Sequence, residues 1–126
     1  KEVKPMENTQ ISNETDNHAA QISMIAALND RLRQTYWGGK VMTTSGVSAL
    51  PDEIQIQVFR AVSEFDTFTE ENDPHGEHDF GKVEVAGHSF FWKIDYYDNR
   101  MECGSEDPTN PDVTTRVLTI MLTGEY

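Results

Sequence analysis

The sequence predicts a single α+β domain in which two to three helices cover a small, mainly antiparallel sheet. Two segments carry apolar residues at helical spacing, and one long segment alternates in the manner of a β-hairpin. The chain has 126 residues, of which 37% are hydrophobic. That length suits one domain, and that composition is enough for one packed core.

The first predicted helix runs from Ala19 to Tyr36 and follows a polar segment without periodicity. We interpret residues 1–18 as a flexible tail, with Met6 as a candidate native start, and residues 19–126 as the domain. Two glycines follow the helix and end it. One apolar stripe with three- and four-residue spacing defines its buried face: Ile25, Leu28, Leu32 and Tyr36.

A short strand and a second helix come next. The stretch "KVMTTSG" is β-branched and bounded by glycines, which is typical of a strand. Pro51 is suited to the first position of a helix, and Asp52 and Glu53 favour its first turn. We expect that helix to end between Asp66 and Phe68. Its predicted buried face comprises Ile54, Val58, Ala61, Val62 and Phe65.

The second half of the chain contains the predicted hairpin. "KVEVAG" alternates, "AGHS" forms the turn, and "FFWKIDYYD" forms the second strand. One face of that strand is predicted to be core: Phe90, Trp92, Ile94 and Tyr96. The other is predicted to be half covered: Phe91, Lys93, Asp95 and Tyr97.

Two later segments are candidates for further elements. "RMECG" is a candidate third strand. Residues 113–125 are rich in Val, Thr and Ile, which favour strands. A helical face is also possible, formed by Val117, Leu118, Met121 and Leu122. The length of the segment and the start at Pro111 favour a helix.

The charge balance restricts the possible partners. The net charge is −12, with 22 acidic and 10 basic residues. Direct nucleic-acid binding is disfavoured because it requires cations to neutralise phosphates, and binding to an anionic membrane is disfavoured for the same reason. A basic partner protein is compatible with this charge. The single Cys103 excludes an internal disulfide and predicts a reducing, cytoplasmic location.

Acidic residues concentrate in two stretches. The first has no Lys or Arg between Arg60 and Lys82, and its carboxylates are the predicted partner-binding residues: Glu64, Asp66, Glu70, Glu71, Asp73, Glu77 and Asp79. The second comprises Asp95, Asp98, Glu102, Glu106, Asp107 and Asp112. If the two meet at one end of the sheet, they form a negative surface that can occupy a groove built for nucleic-acid phosphates.

The segment "NDPHGEHDFG" also allows a metal or catalytic site. His75, His78 and Asp79 are candidate metal ligands, and His78 with Asp79, Lys93 and Asp95 is a candidate acid–base cluster. However, the segment has the glycine and proline content of a turn, in which aspartates bond to the backbone. No complete catalytic constellation is present, so the sequence predicts no cofactor and favours a protein that is not an enzyme.

Several blocks together resemble a known family. "ALNDRLR", "GVSALP", "DPHGEHDFG", "FFWKIDYYD" and "TTRVLTIML" followed by "EY" are similar to domain-of-unknown-function family 3768, over residues 25–126. The resemblance implies a proteobacterial protein often carried on mobile elements, and it implies no particular reaction. We therefore expect an acidic protein-binding regulator or inhibitor, such as an anti-CRISPR-like nucleic-acid mimic. The alternative is a small metal- or histidine-dependent enzyme that uses the His75/His78 loop.

Overall fold

The protein is a small α+β fold, in agreement with the sequence. The computed structural model describes the backbone from Val3 to Tyr126 and the side chains from Asp16 onward. Its elements are α1 (Val3–Thr35), β1 (Lys40–Thr43), α2 (Ser45–Ser48), α3 (Asp52–Glu64), β2 (Phe80–Val85), β3 (His88–Tyr97), β4 (Thr115–Leu122) and a final 3-10 turn (Thr123–Glu125).

The sheet has four strands in the order β1-β4-β3-β2. β3 is antiparallel to both of its neighbours, whereas β1 is parallel to β4. Phe80 lies opposite Lys93, and Tyr97 lies opposite Thr115. The start of β2, the end of β3 and the start of β4 therefore lie at one end of the sheet, which we call the loop end.

The helices differ from the prediction mainly at their boundaries. α1 begins at Val3 rather than near Ala19, so its backbone continues through much of the predicted tail. Residues 1 and 2, and the side chains of residues 1–15, lie outside the described part of the chain. α3 begins one residue after Pro51, which occupies the N-cap. Among the helices described, none is both long and apolar enough to cross a membrane.

The prediction of a C-terminal helix is wrong, because Thr115–Leu122 is a strand. β4 is an interior strand, and its apolar residues are buried on both faces of the sheet: Val117, Leu118, Ile120 and Met121. A strand of this kind loses the alternation that identifies strands in a sequence. Its residues then match helical spacing by chance, and the β-branched composition was the correct signal.

The other predicted strands have mixed outcomes. The strand at Lys40 and the hairpin are confirmed, and Ala86 and Gly87 at the hairpin turn both have positive φ, at 54° and 81°. Such a pair is the usual two-residue connection of a hairpin. "RMECG" forms no strand, and its contribution is an isolated bridge between Gly104 and Tyr97.

The core lies between α1, α3 and one face of the sheet. This face contains the side of β3 that was predicted to be core. Trp92 is fully buried at its centre, edge-on to Phe65 and Phe68 at ring-centroid distances of 5.5 and 6.1 Å. A Cβ atom at Gly81, on the neighbouring strand, would overlap the Trp92 indole. Other members of this core are Leu32, Val47, Val58, Val62, Phe90, Ile94, Leu118 and Ile120.

The two tryptophans provide a matched test of this core. Trp92→Ala should lower the free energy of unfolding by about 3–5 kcal/mol, because it leaves a large cavity. Trp37 is 77% exposed, so Trp37→Ala should change it by no more than about 0.5 kcal/mol. Chemical denaturation measures both values. A loss below about 1 kcal/mol for Trp92→Ala would show that the strand faces are reversed.

Candidate protein-binding surface

The two acidic stretches meet at the loop end of the sheet. Residues 65–79, the acidic loop, connect α3 to β2, and residues 98–114, the second acidic loop, connect β3 to β4. The Tyr96 hydroxyl, at the end of β3, donates to Glu77 Oε1 over 2.7 Å. Both acidic loops therefore leave the sheet at the same end, which is the condition that the predicted negative surface requires.

The seven predicted partner-binding carboxylates divide into two groups. Four are exposed: Glu64, Asp66, Glu70 and Glu71. Three are partly buried: Asp73, Glu77 and Asp79. Burial, with the neighbouring charges of Glu77 and Asp73, raises the pKa of Asp79 above its ordinary value. The first group can contact a partner directly, whereas the second group belongs mainly to the internal structure of the loop.

A tight turn holds the most prominent exposed pair. The Thr69 amide donates to Asn72 Oδ1 over 2.8 Å, and the Asn72 amide donates to Thr69 Oγ1 over 3.2 Å. Asn72 Nδ2 also donates to the carbonyl of Thr67 over 2.8 Å. Glu70 and Glu71 occupy the two corner positions between Thr69 and Asn72. Asx-type side-chain bonds of this sort fix a loop backbone, so both carboxylates are presented by an ordered turn.

His78 fastens the acidic loop to helix α1. Its Nδ1 lies 3.0 Å from both carboxylate oxygens of Asp30, and its Nε2 lies 3.7 Å from Asp73 Oδ2. The ring stacks on Phe68 at a centroid distance of 3.9 Å. His78 adopts a left-handed φ of 56°, and its amide donates to Asp73 Oδ1 over 3.2 Å. Both ring nitrogens thus face carboxylates of the protein itself.

This arrangement does not assemble the candidate metal ligands. The nitrogens of His78 are directed at Asp30 and Asp73, while His75 is exposed. Within the described residues, no three His, Cys, Asp or Glu side chains are placed to hold a metal ion. His75, His78 and Asp79 therefore do not form a common coordination site.

The candidate acid–base cluster is also divided. Lys93 pairs with Asp95 over 2.8 Å, on the face of the sheet opposite the helices. His78 contacts Asp30 instead of Asp79, on the helical side of the loop. A general acid–base pair must share a hydrogen bond or a substrate position, and these two pairs lie on different faces.

A buried polar network joins α1 to both acidic loops. Asn29 is fully buried, and its Nδ2 donates to the Glu77 carbonyl over 2.9 Å and to the Tyr96 hydroxyl over 2.8 Å. Its Oδ1 accepts a bond from Arg116 Nε over 2.9 Å, and Arg116 Nη2 donates to the carbonyl of Pro108. Burial and the bond to Glu77 raise the pKa of Tyr96 well above its ordinary value.

Arg33 joins α1 to the end of α3. Its guanidinium is 1% exposed and donates to the carbonyls of Val62, Ser63 and Phe65 over 3.0, 3.2 and 2.7 Å. These carbonyls lie at the C-terminus of α3, where the regular helical donors are absent, and that of Val62 also accepts from the Phe65 amide over 3.3 Å. The guanidinium also bonds to Asp30 over 3.0 Å and lies 5.2 Å above the Trp92 ring.

The internal roles of Asn29, Arg33 and Arg116 were not predicted from the sequence. The position of Asn29 and Arg33 on helix α1 did contain a signal for two of them. Asn29 lies between Ile25 and Leu32 at helical spacing, on the apolar stripe itself, and Arg33 follows four residues later. A polar residue on such a stripe must find partners inside the protein. Arg116 lies in the segment that was predicted as a helix, so the sequence did not predict that its side chain points into the protein.

The neighbouring arginines of α1 test the role of Arg33. Arg33→Ala should lower the free energy of unfolding by about 3 kcal/mol, because it leaves buried carbonyls without donors. Arg31 is exposed, so Arg31→Ala, which removes the same charge, should cost no more than about 0.5 kcal/mol. Urea denaturation of both variants gives these values. Equal losses would mean that charge, and not the buried contacts, determines the effect.

Comparison with known proteins places the chain in a family. The family described as "Protein of unknown function (DUF3768)" matches residues 43–125, which include α2, α3, β2 to β4 and both acidic loops. Neither a curated protein nor a solved structure matches the chain. Because the match covers most of the chain, this protein belongs to the DUF3768 family.

Proposed function

We propose that this protein is an acidic protein-binding regulator that acts from the loop end of its sheet. Its partner is a basic protein that handles nucleic acid, and the acidic surface occupies the groove that nucleic-acid phosphates would otherwise fill. This makes the protein an inhibitor of the nucleic-acid-mimicking kind, and an anti-CRISPR-like factor is the most specific form of the proposal.

The observation that carries this proposal is an exposed negative surface without local compensation. Carboxylates at Glu64, Asp66, Glu70 and Glu71 are exposed, and the acidic loop contains no Lys or Arg. The two arginines that contact the loops, Arg33 and Arg116, are buried, where they bond to internal carbonyls, Asp30 and Asn29. Neither is therefore available to neutralise the exposed carboxylates.

The second acidic loop extends this surface. Its exposed carboxylates are Glu102, Glu106, Asp107 and Asp112. Arg100 is the one cation in that loop. Carboxylates from two loops at one end of a sheet provide an extended negative field, and such a field steers a basic partner towards its site. The ordered turn at Glu70 and Glu71 reduces the conformational entropy lost on binding.

The family resemblance also supports a role as an inhibitor. The resemblance implies carriage on mobile elements of proteobacteria, where proteins that inhibit host defence are useful to the element. The cytoplasm, where nucleic-acid-handling proteins act, is the location that this role requires. The exposed thiol of Cys103 is compatible with a reducing compartment.

The first experiment identifies the partner. The tagged protein is used to capture partners from a bacterial host lysate, and captured proteins are eluted with DNA or RNA. The proposal predicts that a nucleic-acid-handling protein is recovered and that nucleic acid competes for it. A recovered partner that is acidic at its contact surface would contradict the proposal.

Charge neutralisation then tests the surface itself. Asp66→Asn, Glu70→Gln and Glu71→Gln together should slow association with that partner by about tenfold at low salt, with a smaller change in dissociation. The control variant carries Asp52→Asn and Glu53→Gln, at exposed positions in the first turn of α3, and is matched in charge to the two-site variant Glu70→Gln and Glu71→Gln. Stopped-flow or surface-binding kinetics measure both rates. Equal slowing by the two variants would show that net charge acts without a defined surface.

A further inference from the structure

Strand β2 has one open edge. It is the last strand in the order β1-β4-β3-β2, and all six of its residues pair with β3 on the other side. The Ile94 amide donates to the Asp79 carbonyl over 2.9 Å, which fixes the hydrogen-bonding phase of the ladder. In an antiparallel pair the phase alternates, so the peptide groups of Phe80, Lys82 and Glu84 point away from β3.

These outward peptide groups have no partner on the neighbouring loop. In the part of the chain that the structure describes, no backbone hydrogen bond between elements reaches Phe80, Lys82 or Glu84. Charged side chains at Lys82 and Glu84, which lie 3.8 Å apart, reduce accidental strand pairing at such an edge. They leave the main-chain donors and acceptors available to a specific strand.

A groove lies beside this open edge. It has a volume of about 470 Å³ and is lined by Phe65, Thr67 and Asn72 of the acidic loop and by Phe80, Gly81 and Lys82 of β2. The Trp92 indole occupies the space that a side chain at Gly81 would fill. The Trp92 indole N–H lies against Gly81, and it is a buried donor with no partner among the described residues. The Trp92 N–H is buried outside the lining of the groove, which itself combines the apolar rings of Phe65 and Phe80 with the outward peptide groups of β2.

The charges around the groove select its occupant. Asp66 lies between two lining residues, and Glu70 and Glu71 precede the lining residue Asn72. All three carboxylates are exposed, whereas the one cation that lines the groove, Lys82, has Glu84 beside it. An extended segment with basic residues and alternate apolar residues is complementary to this edge in both charge and hydrogen bonding.

We propose that the open edge of β2 binds an extended basic segment of the partner as a fifth strand, with an alternate apolar side chain of that segment in the groove. The segment pairs with the peptide groups of Phe80, Lys82 and Glu84. Its basic residues face Asp66, Glu70 and Glu71. This inference rests on the proposed function, because it specifies how a basic partner docks on the acidic surface.

Two variants of one residue test the main-chain pairing. Lys82→Pro removes the outward amide and leaves the bonds to β3 in place, as an edge position tolerates proline. Lys82→Gln removes the same charge and retains the amide. The probe is the capped peptide Lys-Val-Arg-Val-Lys-Val, titrated into isotope-labelled protein and followed by NMR. Lys82→Pro should bind at least about tenfold more weakly than Lys82→Gln, which carries the same charge change. Equal affinity of Lys82→Pro and Lys82→Gln would overturn the inference.

A second measurement on the unmodified protein does not depend on the folding of the proline variant. With the peptide bound, amide exchange of Phe80, Lys82 and Glu84 should slow. Peptides that carry N-methyl groups at the alternate residues whose N–H groups face β2 should no longer bind.

Three results separate this inference from the proposed function. If the peptide changes the chemical shifts of Glu70 and Glu71 alone, and amide exchange in β2 does not slow, strand addition is overturned. The proposal of an acidic binding surface would then remain. Self-association of the protein that Lys82→Pro abolishes would overturn it in favour of a second copy at this edge. Failure of the charge-neutralised surface variant to slow association with the captured partner would instead overturn the proposed function.

Discussion

The buried guanidinium of Arg33 is the contact on which the arrangement of the two functional loops depends. Its Nη1 donates to three carbonyls at the end of α3, and its Nη2 donates to Asp30 Oδ1. The same group covers the Trp92 ring and bonds to Asp30, which in turn holds His78. One side chain of α1 thus determines where α3 ends, where the acidic loop begins and how that loop lies against the core.

Asn29, one helical turn earlier, extends this control to the second acidic loop. Residues four apart lie on the same face of a helix, so Asn29 and Arg33 act on adjacent parts of the loop end. Asn29 contacts Glu77 directly, and it contacts the carbonyl of Pro108 through Arg116. The buried network uses the internal polar groups of both loops, and the carboxylates left at the surface are those that the proposed function requires. A groove and an open strand edge lie beside them.

The sequence was sufficient for the elements whose periodicity reports a single buried face. α3 packs Val58 and Val62 inward, and β3 alternates between buried and half-covered positions, as predicted. The sequence was insufficient to identify β4 as a strand, because an interior strand is apolar on both faces. It could not separate Asp73 and Glu77 from Glu70 and Glu71, because local composition does not reveal a partner far along the chain. Asp30 and His78, for example, are 48 residues apart.

The most direct test of the central claim, that Arg33 orders the acidic loop, is amide hydrogen exchange in the parent and in Arg33→Lys. Lysine keeps the charge but has a single donor nitrogen, so it cannot replace Nη1 at the carbonyls and Nη2 at Asp30 together. The loop amides that donate to loop acceptors are those of Thr69, Asn72, Asp73, Gly76 and His78. They should exchange at least about tenfold faster in the variant, as expected for local opening of the loop, whereas the amide of Met121, which pairs with Phe91 inside the sheet, should remain protected. Unchanged loop protection in a folded Arg33→Lys variant would contradict the account.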